Sequence, residues 1–157
     1  METAASLRTH LINLLTKAEA HIDVQSELKN FPAGLRGRKP EGAPHTPWQL
    51  LEHMRIAQWD ILRFSVDAKH VSPEFPEGYW PETDSPPSPK AWEKSVKEFL
   101  HDLDEMCKLV GDPKRDLFAR IPHGTGQTLL REALLVADHN AYHLGQIVLV
   151  RRMLEGR

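Results

Sequence analysis

The sequence lacks most features of a secreted, membrane or nucleic-acid-binding protein. It contains one cysteine, Cys107, so no intramolecular disulfide can form. It opens with no charged-then-apolar leader, and it has no run of about 18 apolar residues that could span a bilayer. The formal net charge is −2, and the lack of concentrated Lys and Arg argues against binding to a phosphate backbone. We therefore expect a cytoplasmic protein that binds neither nucleic acid nor membrane.

Strand alternation of useful length is also missing, and helical periodicity takes its place. Apolar residues recur at three- and four-residue steps in four segments, which we predict as helices. These segments cover residues 3–29, 47–68, 89–110 and 127–154. Four long amphipathic helices in a chain of 157 residues predict one domain, residues 1–157. The expected fold is all-α, an antiparallel four-helix bundle with long connecting loops.

Two start signals and one aromatic loop organise the middle of the chain. The run from Thr46 to Gln49 predicts a capping box with proline at the first helical position, and Ser88-Pro89 repeats the cap-plus-proline pattern. Between them, residues 70–87 form a long loop rich in proline that also carries aromatic residues. Aromatic side chains favour an ordered loop. We predict that Phe75 to Trp80 pack over the bundle, as part of a pocket wall or a subunit contact.

The nine histidines are many for so short a chain, and two of them lie four residues apart in its most apolar segment. Four helical steps leave His139 and His143 only about 40° apart around the axis, so both rings face one way and can bind one metal ion. His53, in the first third of the second predicted helix, is the natural third ligand. Three imidazoles with an open fourth position are typical of a catalytic metal site. The alternative is that these are core histidines bonded to carbonyls and carboxylates.

Two motifs resemble those of the DinB/YfiT-like superfamily. Residues 46–53, Thr-Pro-Trp-Gln-Leu-Leu-Glu-His, resemble its second-helix motif, and residues 138–146, Asp-His-Asn-Ala-Tyr-His-Leu-Gly-Gln, resemble its last-helix motif. The resemblance implies a DinB-like bundle whose metal is held by His53, His139 and His143, with zinc or nickel as the leading candidates. It also implies a choice of activities: thiol S-transferase, with a low-molecular-weight thiol as co-substrate, or metal-dependent hydrolase. Homodimers are common in this family. A noncatalytic metal-binding or interaction bundle is the third possibility.

Further polar and aromatic residues are candidates for a small-molecule site around the metal. His21 is a candidate catalytic base, since imidazole can accept a proton near neutral pH, or a histidine at a helix boundary. The candidate substrate-binding residues are Tyr142, Gln146, Trp80 and Gln49. Asp60, seven residues after His53, would share its helix face, although polar candidates of this kind are more often satisfied structural groups.

Overall fold

The computed structural model describes residues 2–17 and 20–156, and that part of the chain is all-α, as predicted. It contains five α-helices: α1 (Glu2–Thr16), α2 (Val24–Lys29), α3 (Pro47–Val66), α4 (Ala91–Gly111) and α5 (Leu129–Glu155). Two short 3-10 helices cover Ala33–Leu35 and Glu77–Tyr79. The described residues form no strand, and one isolated bridge pairs Arg120 with Thr128.

The prediction of one first helix over residues 3–29 is wrong. Helix α1 ends at Thr16 and α2 begins at Val24, while residues 18 and 19 lie outside the described part of the chain. Asp23 caps α2, because its carboxylate accepts a hydrogen bond of 2.6 Å from the backbone N–H of Ser26. Such a side-chain bond offers the backbone an alternative to helix continuation. A stripe of apolar residues can therefore run through a helix break without revealing it.

The predicted start signal of α3 is confirmed, and that of α4 is wrong. The Thr46 hydroxyl accepts from the backbone N–H of Gln49, and the Gln49 side chain accepts from the backbone N–H of Thr46, which completes the capping box. Helix α4 begins at Ala91 instead of Pro89, and no side-chain bond caps it. Ser88 accepts a backbone bond of 3.1 Å from Ala91 instead, so the Ser-Pro pair forms a turn ahead of the helix.

Helix α3 packs against α4 and α5, and α1 packs against the same two helices, while the short α2 packs on α4. The buried amide of Gln58 on α3 connects three helices at one level. It donates to the carbonyl of Phe99 on α4 at 2.7 Å and accepts from Asn140 on α5 at 2.8 Å. Among the described residues, no helix combines the length and the apolar character needed to cross a membrane. The packing of α3 against α5 brings the predicted metal ligands together.

Candidate metal centre

Three histidines from two helices meet in the interior. Helix α3 supplies His53, and α5 supplies His139 and His143; one ring nitrogen from each residue lies within 4.8 Å of the other two. The Nε2 atoms of His53 and His139 are 3.1 Å apart. His53 and His143 are buried, and His139 is half-buried. We refer to these three residues as the histidine trio.

Two rings of the trio are held by bonds at the far side of the ring. His53 Nδ1 lies 3.0 Å from the backbone carbonyl oxygen of Tyr79. A carbonyl oxygen can only accept, so this Nδ1 carries the proton and donates it. His143 Nδ1 likewise lies 2.7 Å from the side-chain oxygen of Gln146. Neutral rings of this kind carry a free lone pair on Nε2, and these lone pairs are available to a shared cation.

His139 is the least satisfied member of the trio. Its Nδ1 atom is buried and has no hydrogen-bond partner among the described residues. An unpaired buried polar atom costs about 1–3 kcal/mol relative to a paired one. His139 therefore does not fit the alternative of core histidines whose nitrogens are all satisfied by carbonyls and carboxylates.

The electrostatics of the trio favour the neutral, ligating form of each ring. Burial, followed by the neighbouring rings of His143 and His53, lowers the pKa of His139 to about 4. Burial is also the main cause that lowers the pKa of His143 to about 4, against the hydrogen bond to Gln146, which raises it. Burial lowers the pKa of His53 as well. All three rings are therefore neutral at pH 7, and no proton competes with a metal ion for them.

The donor set fits a divalent transition-metal ion. Imidazole nitrogens bind zinc at about 2.0–2.1 Å, so two ligands of one ion lie roughly 3 Å apart or slightly more. The separation of 3.1 Å between His53 Nε2 and His139 Nε2 is in this range. Imidazole ligands suit zinc, nickel, iron and copper. Residues that could hold such an ion are the three histidines, with Tyr79 and Gln146 as the groups that orient two of them.

A tryptophan from the loop after α3 covers one face of the trio. The ring of Trp80 stacks on His53, with centroids 3.9 Å apart and planes within 2°. His45 stacks on the opposite face of the same tryptophan at 4.0 Å. The phenyl ring of Phe75 is 76% exposed and contacts Tyr79. The predicted packing over the bundle is therefore found for Tyr79 and Trp80 but not for Phe75, and the role of this segment as a pocket wall stays a prediction.

The same loop is fastened to α3 by side-chain bonds along the helix. The phenol of Tyr79 donates to Asp60 at 2.6 Å, and the ring of His70 lies 2.7 Å from the other oxygen of that carboxylate. Nearer the start of α3, the indole N–H of Trp48 donates to Thr83 at 3.2 Å. These bonds hold the loop against the helix that carries His53.

The remaining predicted site residues are distributed around the trio. Tyr142 is 64% exposed, and its ring meets His143 edge to face at 4.9 Å. Gln146 contacts His143 directly. The amide of Gln49 is engaged in the capping box and donates to Asp84 at 2.8 Å. His21 is exposed between α1 and α2, where its Nδ1 bonds to the neighbouring Ile22 carbonyl. The roles predicted for these residues stay predictions.

A cavity of about 290 Å³ begins one helical turn from the trio. It lies beside Leu50, three residues before His53, and beside Gln146, three residues after His143. Among the described residues that line it, His45 and Gln146 are the only polar side chains, and the rest are apolar or glycine. A cavity of about 350 Å³ between α3 and α4 lies elsewhere, and its lining includes no member of the trio. No member of the trio lines the smaller cavity either, but Leu50 and Gln146 in its wall lie about one helical turn from His53 and His143.

Several contributors to this site escaped the sequence analysis. His45 reads as a loop residue ahead of the α3 cap, and nothing local to it indicates a stack on Trp80. The carbonyl of Tyr79 carries no side-chain signal at all. Cys107, in contrast, is half-buried, and burial raises its pKa to about 11, which agrees with a packing thiol and not a nucleophile.

Comparisons with known proteins give one match. No curated protein and no solved structure matches the chain. A family model described as the DinB superfamily matches residues 4–147, a range that begins within α1 and ends within α5 after the last histidine of the trio. The match covers most of the 157 residues and contains all three histidines. The chain therefore belongs to the DinB superfamily.

Proposed function

We propose that this protein binds one divalent metal ion through His53, His139 and His143 and is a metal-dependent enzyme that acts on small molecules. One observation carries the proposal: three neutral imidazoles converge within 4.8 Å, and two of them present Nε2 lone pairs because their Nδ1 atoms donate elsewhere. Three neutral ligands leave the double charge of the ion uncompensated. When bound, such an ion lowers the pKa of a water molecule or a substrate thiol at its open position.

Thiol S-transfer is the activity we place first, with a low-molecular-weight thiol as co-substrate. Thiolate is a soft ligand that suits zinc and nickel, and it is a strong nucleophile toward electrophilic carbon. Metal-dependent hydrolysis is the alternative activity, and a noncatalytic metal-binding bundle is the alternative to an enzyme. The half-open, mostly apolar cavity beside Gln146 favours a small-molecule substrate over a flat interaction surface.

The chain supplies groups that can bind and orient such a substrate. His45 and Gln146 border the cavity, so they can hydrogen-bond a polar group at the end that faces the trio. Trp80 and Tyr142 contact His53 and His143 and can limit the access of water. His21 remains a candidate proton acceptor. A slower turnover of the His21→Ala variant, with unchanged metal content, would support that role.

The test is metal analysis of the purified protein, followed by activity screening. We expect about one zinc or nickel ion per chain. In cobalt-substituted protein, an added thiol should shift the visible absorption bands, and the loaded protein should consume thiol together with an electrophile. If thiols leave the cobalt spectrum unchanged and no thiol is consumed, the transferase proposal fails and hydrolysis takes its place. If the purified protein binds no divalent ion, the metal-dependent enzyme is ruled out.

The proposal includes the antiparallel arrangement of the four long helices and a homodimer. The order of residues along the cavity supports an antiparallel α3 and α5, since its wall runs backward from His53 and forward from His143. The exposed apolar residues of α5, such as Leu134 and Tyr142, support a second copy as a partner. Light scattering that gives a monomer mass at high protein concentration would exclude the dimer.

A further inference from the structure

Tyr79 joins the histidine trio to a second polar cluster on the same helix. Its backbone carbonyl accepts from His53 Nδ1 at 3.0 Å, and its phenol donates to Asp60 Oδ2 at 2.6 Å. His53 and Asp60 are seven residues apart on α3, which is about two helical turns on one face. One residue of the loop therefore spans two turns of α3, with its main chain at the metal ligand and its side chain at the carboxylate.

The distal end of this connection is firmly held. Asp60 is buried, and its second oxygen lies 2.7 Å from His70 Nε2, so both carboxylate oxygens have partners. The ring of Trp59 packs edge to face on His70 at 5.1 Å. Burial and the adjacent Asp60 raise the pKa of Tyr79 to about 12, so its phenol stays protonated and donates at neutral pH.

The proximal end sets which nitrogen of His53 carries the proton. A neutral imidazole has one N–H, and an acceptor at Nδ1 holds it there, which leaves Nε2 as the lone-pair donor. Without that acceptor, His53 could place its proton on Nε2, where it would face His139 at 3.1 Å and block a shared ion. The position of one carbonyl oxygen therefore matters for metal binding.

We propose that Tyr79 is a positioning residue of the metal centre: anchored by Asp60, it holds its own carbonyl against His53 and keeps Nε2 of that ring free for metal. This inference rests on the proposed metal site. The phenol hydroxyl, which bonds two helical turns away from His53, would then determine which nitrogen of that ring carries the proton. Ligand-orienting groups of this kind typically change metal affinity by about 10–100-fold when removed.

Other bonds also hold the loop against the helix. Removal of the phenol hydroxyl therefore removes one attachment without releasing the whole loop. Trp48 donates to Thr83, and Gln49 donates to Asp84, on the far side of Trp80. Trp80 itself remains stacked between His45 and His53.

The same loop offers a control for the test, Thr83→Val. Tyr79→Phe removes the bond to Asp60, whereas Thr83→Val removes the hydroxyl that accepts from Trp48 on the same helix. Zinc affinity is measured by competition with a chromophoric chelator. We expect about a tenfold or greater loss for Tyr79→Phe and no more than about a twofold change for Thr83→Val.

A second readout reports on His53 itself. In metal-free protein, nitrogen NMR of the histidine rings identifies the nitrogen that carries the proton. The unsubstituted chain should show His53 protonated at Nδ1 alone, and Tyr79→Phe should show a mixture of both tautomers. A purely structural role of Tyr79 would lower thermal stability without moving this signal.

Substitutions at Asp60 test whether the effect passes through its bond to Tyr79. They also test the inference if Tyr79→Phe folds poorly. Asp60→Asn retains an oxygen that accepts from the phenol, so it should keep most of the zinc affinity, whereas Asp60→Ala should lose it to the same extent as Tyr79→Phe. The combination of Tyr79→Phe with Asp60→Ala should bind zinc no more weakly than either single variant, because both break one connection.

The outcomes separate this inference from the proposed function. If the unsubstituted protein binds zinc while Tyr79→Phe keeps both the affinity and the His53 tautomer, the inference is overturned and the metal site stands. If Asp60→Ala leaves both readouts unchanged, the inference is overturned in the same way. If the unsubstituted protein binds no metal, the proposed function fails, and the tautomer measurement alone then decides whether Tyr79 positions the ring.

Discussion

The two long loops that flank α4 are held to the helices in different ways. We call residues 67–90 the site loop and residues 112–128 the distal loop. The site loop is attached through side chains, among them the bonds from Tyr79 to Asp60 and from Trp48 to Thr83. The bonds of the distal loop to the helices have a backbone group at one end or at both: the Leu130 N–H donates to the Leu117 carbonyl at 2.9 Å, and the His123 ring lies 2.6 Å from the Phe64 carbonyl.

This difference indicates which loop serves the site. A bond with a backbone group at one end depends on at most one particular side chain, whereas a bond between two side chains depends on both residues. The site loop uses bonds of the second kind to α3, and it brings Trp80 and the Tyr79 carbonyl against His53. The distal loop also contains a histidine, His123, but its ring bonds to the carbonyl of Phe64 at 2.6 Å and lies outside the trio. His123 therefore provides a control for the ligand histidines.

The largest expected effect concerns metal content. His139→Ala combined with His143→Ala should remove the bound ion completely, because a single remaining imidazole from the trio cannot retain it. His123→Ala should retain about one ion per chain. Elemental analysis of the purified variants checks both results. Full metal content in the double variant would show that the ion is held elsewhere.

The pH dependence of stability should distinguish the same residues in metal-free protein. The pKa of His139 and of His143 is about 4 in the folded chain, against an ordinary value of 6.5. As the pH falls below about 6.5, these two histidines bind protons in the unfolded chain, whereas in the folded chain they bind them only near pH 4. The free energy of unfolding should therefore fall through this window and be unaffected by these groups above it. Denaturant titrations at several pH values measure the effect.

The control for this pH effect uses glutamine at the histidine positions. His139→Gln combined with His143→Gln should flatten the fall in unfolding free energy between pH 6.5 and 4. An equally steep fall in the trio variant would assign the acid sensitivity to other groups.

A smaller effect separates the aromatic residues of the two loops. Trp80→Ala removes a ring stacked between two imidazoles and should lower the free energy of unfolding by about 2 kcal/mol. Phe118 in the distal loop is 62% exposed, so Phe118→Ala should change it by no more than about 0.5 kcal/mol. Urea unfolding of both variants checks the prediction, provided that the slope of unfolding free energy against urea concentration is unchanged. Equal losses would remove the distinction between the loops.

The smallest expected difference in stability between the two loops concerns their threonine helix caps. Thr46 caps α3 and also donates to the Asp84 carbonyl of the site loop at 2.7 Å, whereas Thr128 at the end of the distal loop only caps α5. Thr128→Ala should cost about 1 kcal/mol of stability. Thr46→Ala should cost about 2 kcal/mol, because a second buried hydrogen bond is lost. Thermal and urea unfolding of both variants compare the two losses.

Two local signals in the sequence predicted the structure correctly. The Thr46–Gln49 capping box is confirmed, because all of its partners lie within four residues. The stripe of α5 predicted that His139 and His143 face one way, and the structure places their ring centroids 4.5 Å apart. An apolar stripe also led to the wrong prediction of one long first helix, because the stripe continues past the end of α1 although Asp23 caps a second helix.

The rest of the site depends on contacts that no local pattern encodes. Asp60 was predicted to share a face with His53, but its partner, the phenol of Tyr79, lies 19 residues further along the chain. The sequence shows neither the carbonyl that orients His53 nor the stack of His45 on Trp80. These contacts follow from the path of the site loop, which is set by its side-chain bonds to α3.

The connection through Tyr79 also has a consequence for the order of folding. The bond from His53 to Tyr79 spans 26 residues, whereas the contact between His53 and His139 spans 86. Closing the longer segment costs roughly 1 kcal/mol more chain entropy than closing the shorter one. On a ribosome, α3 and the site loop are complete long before α5 is made. We expect His53 to acquire its orientation first, so the last helix would dock its two histidines against a ring already set.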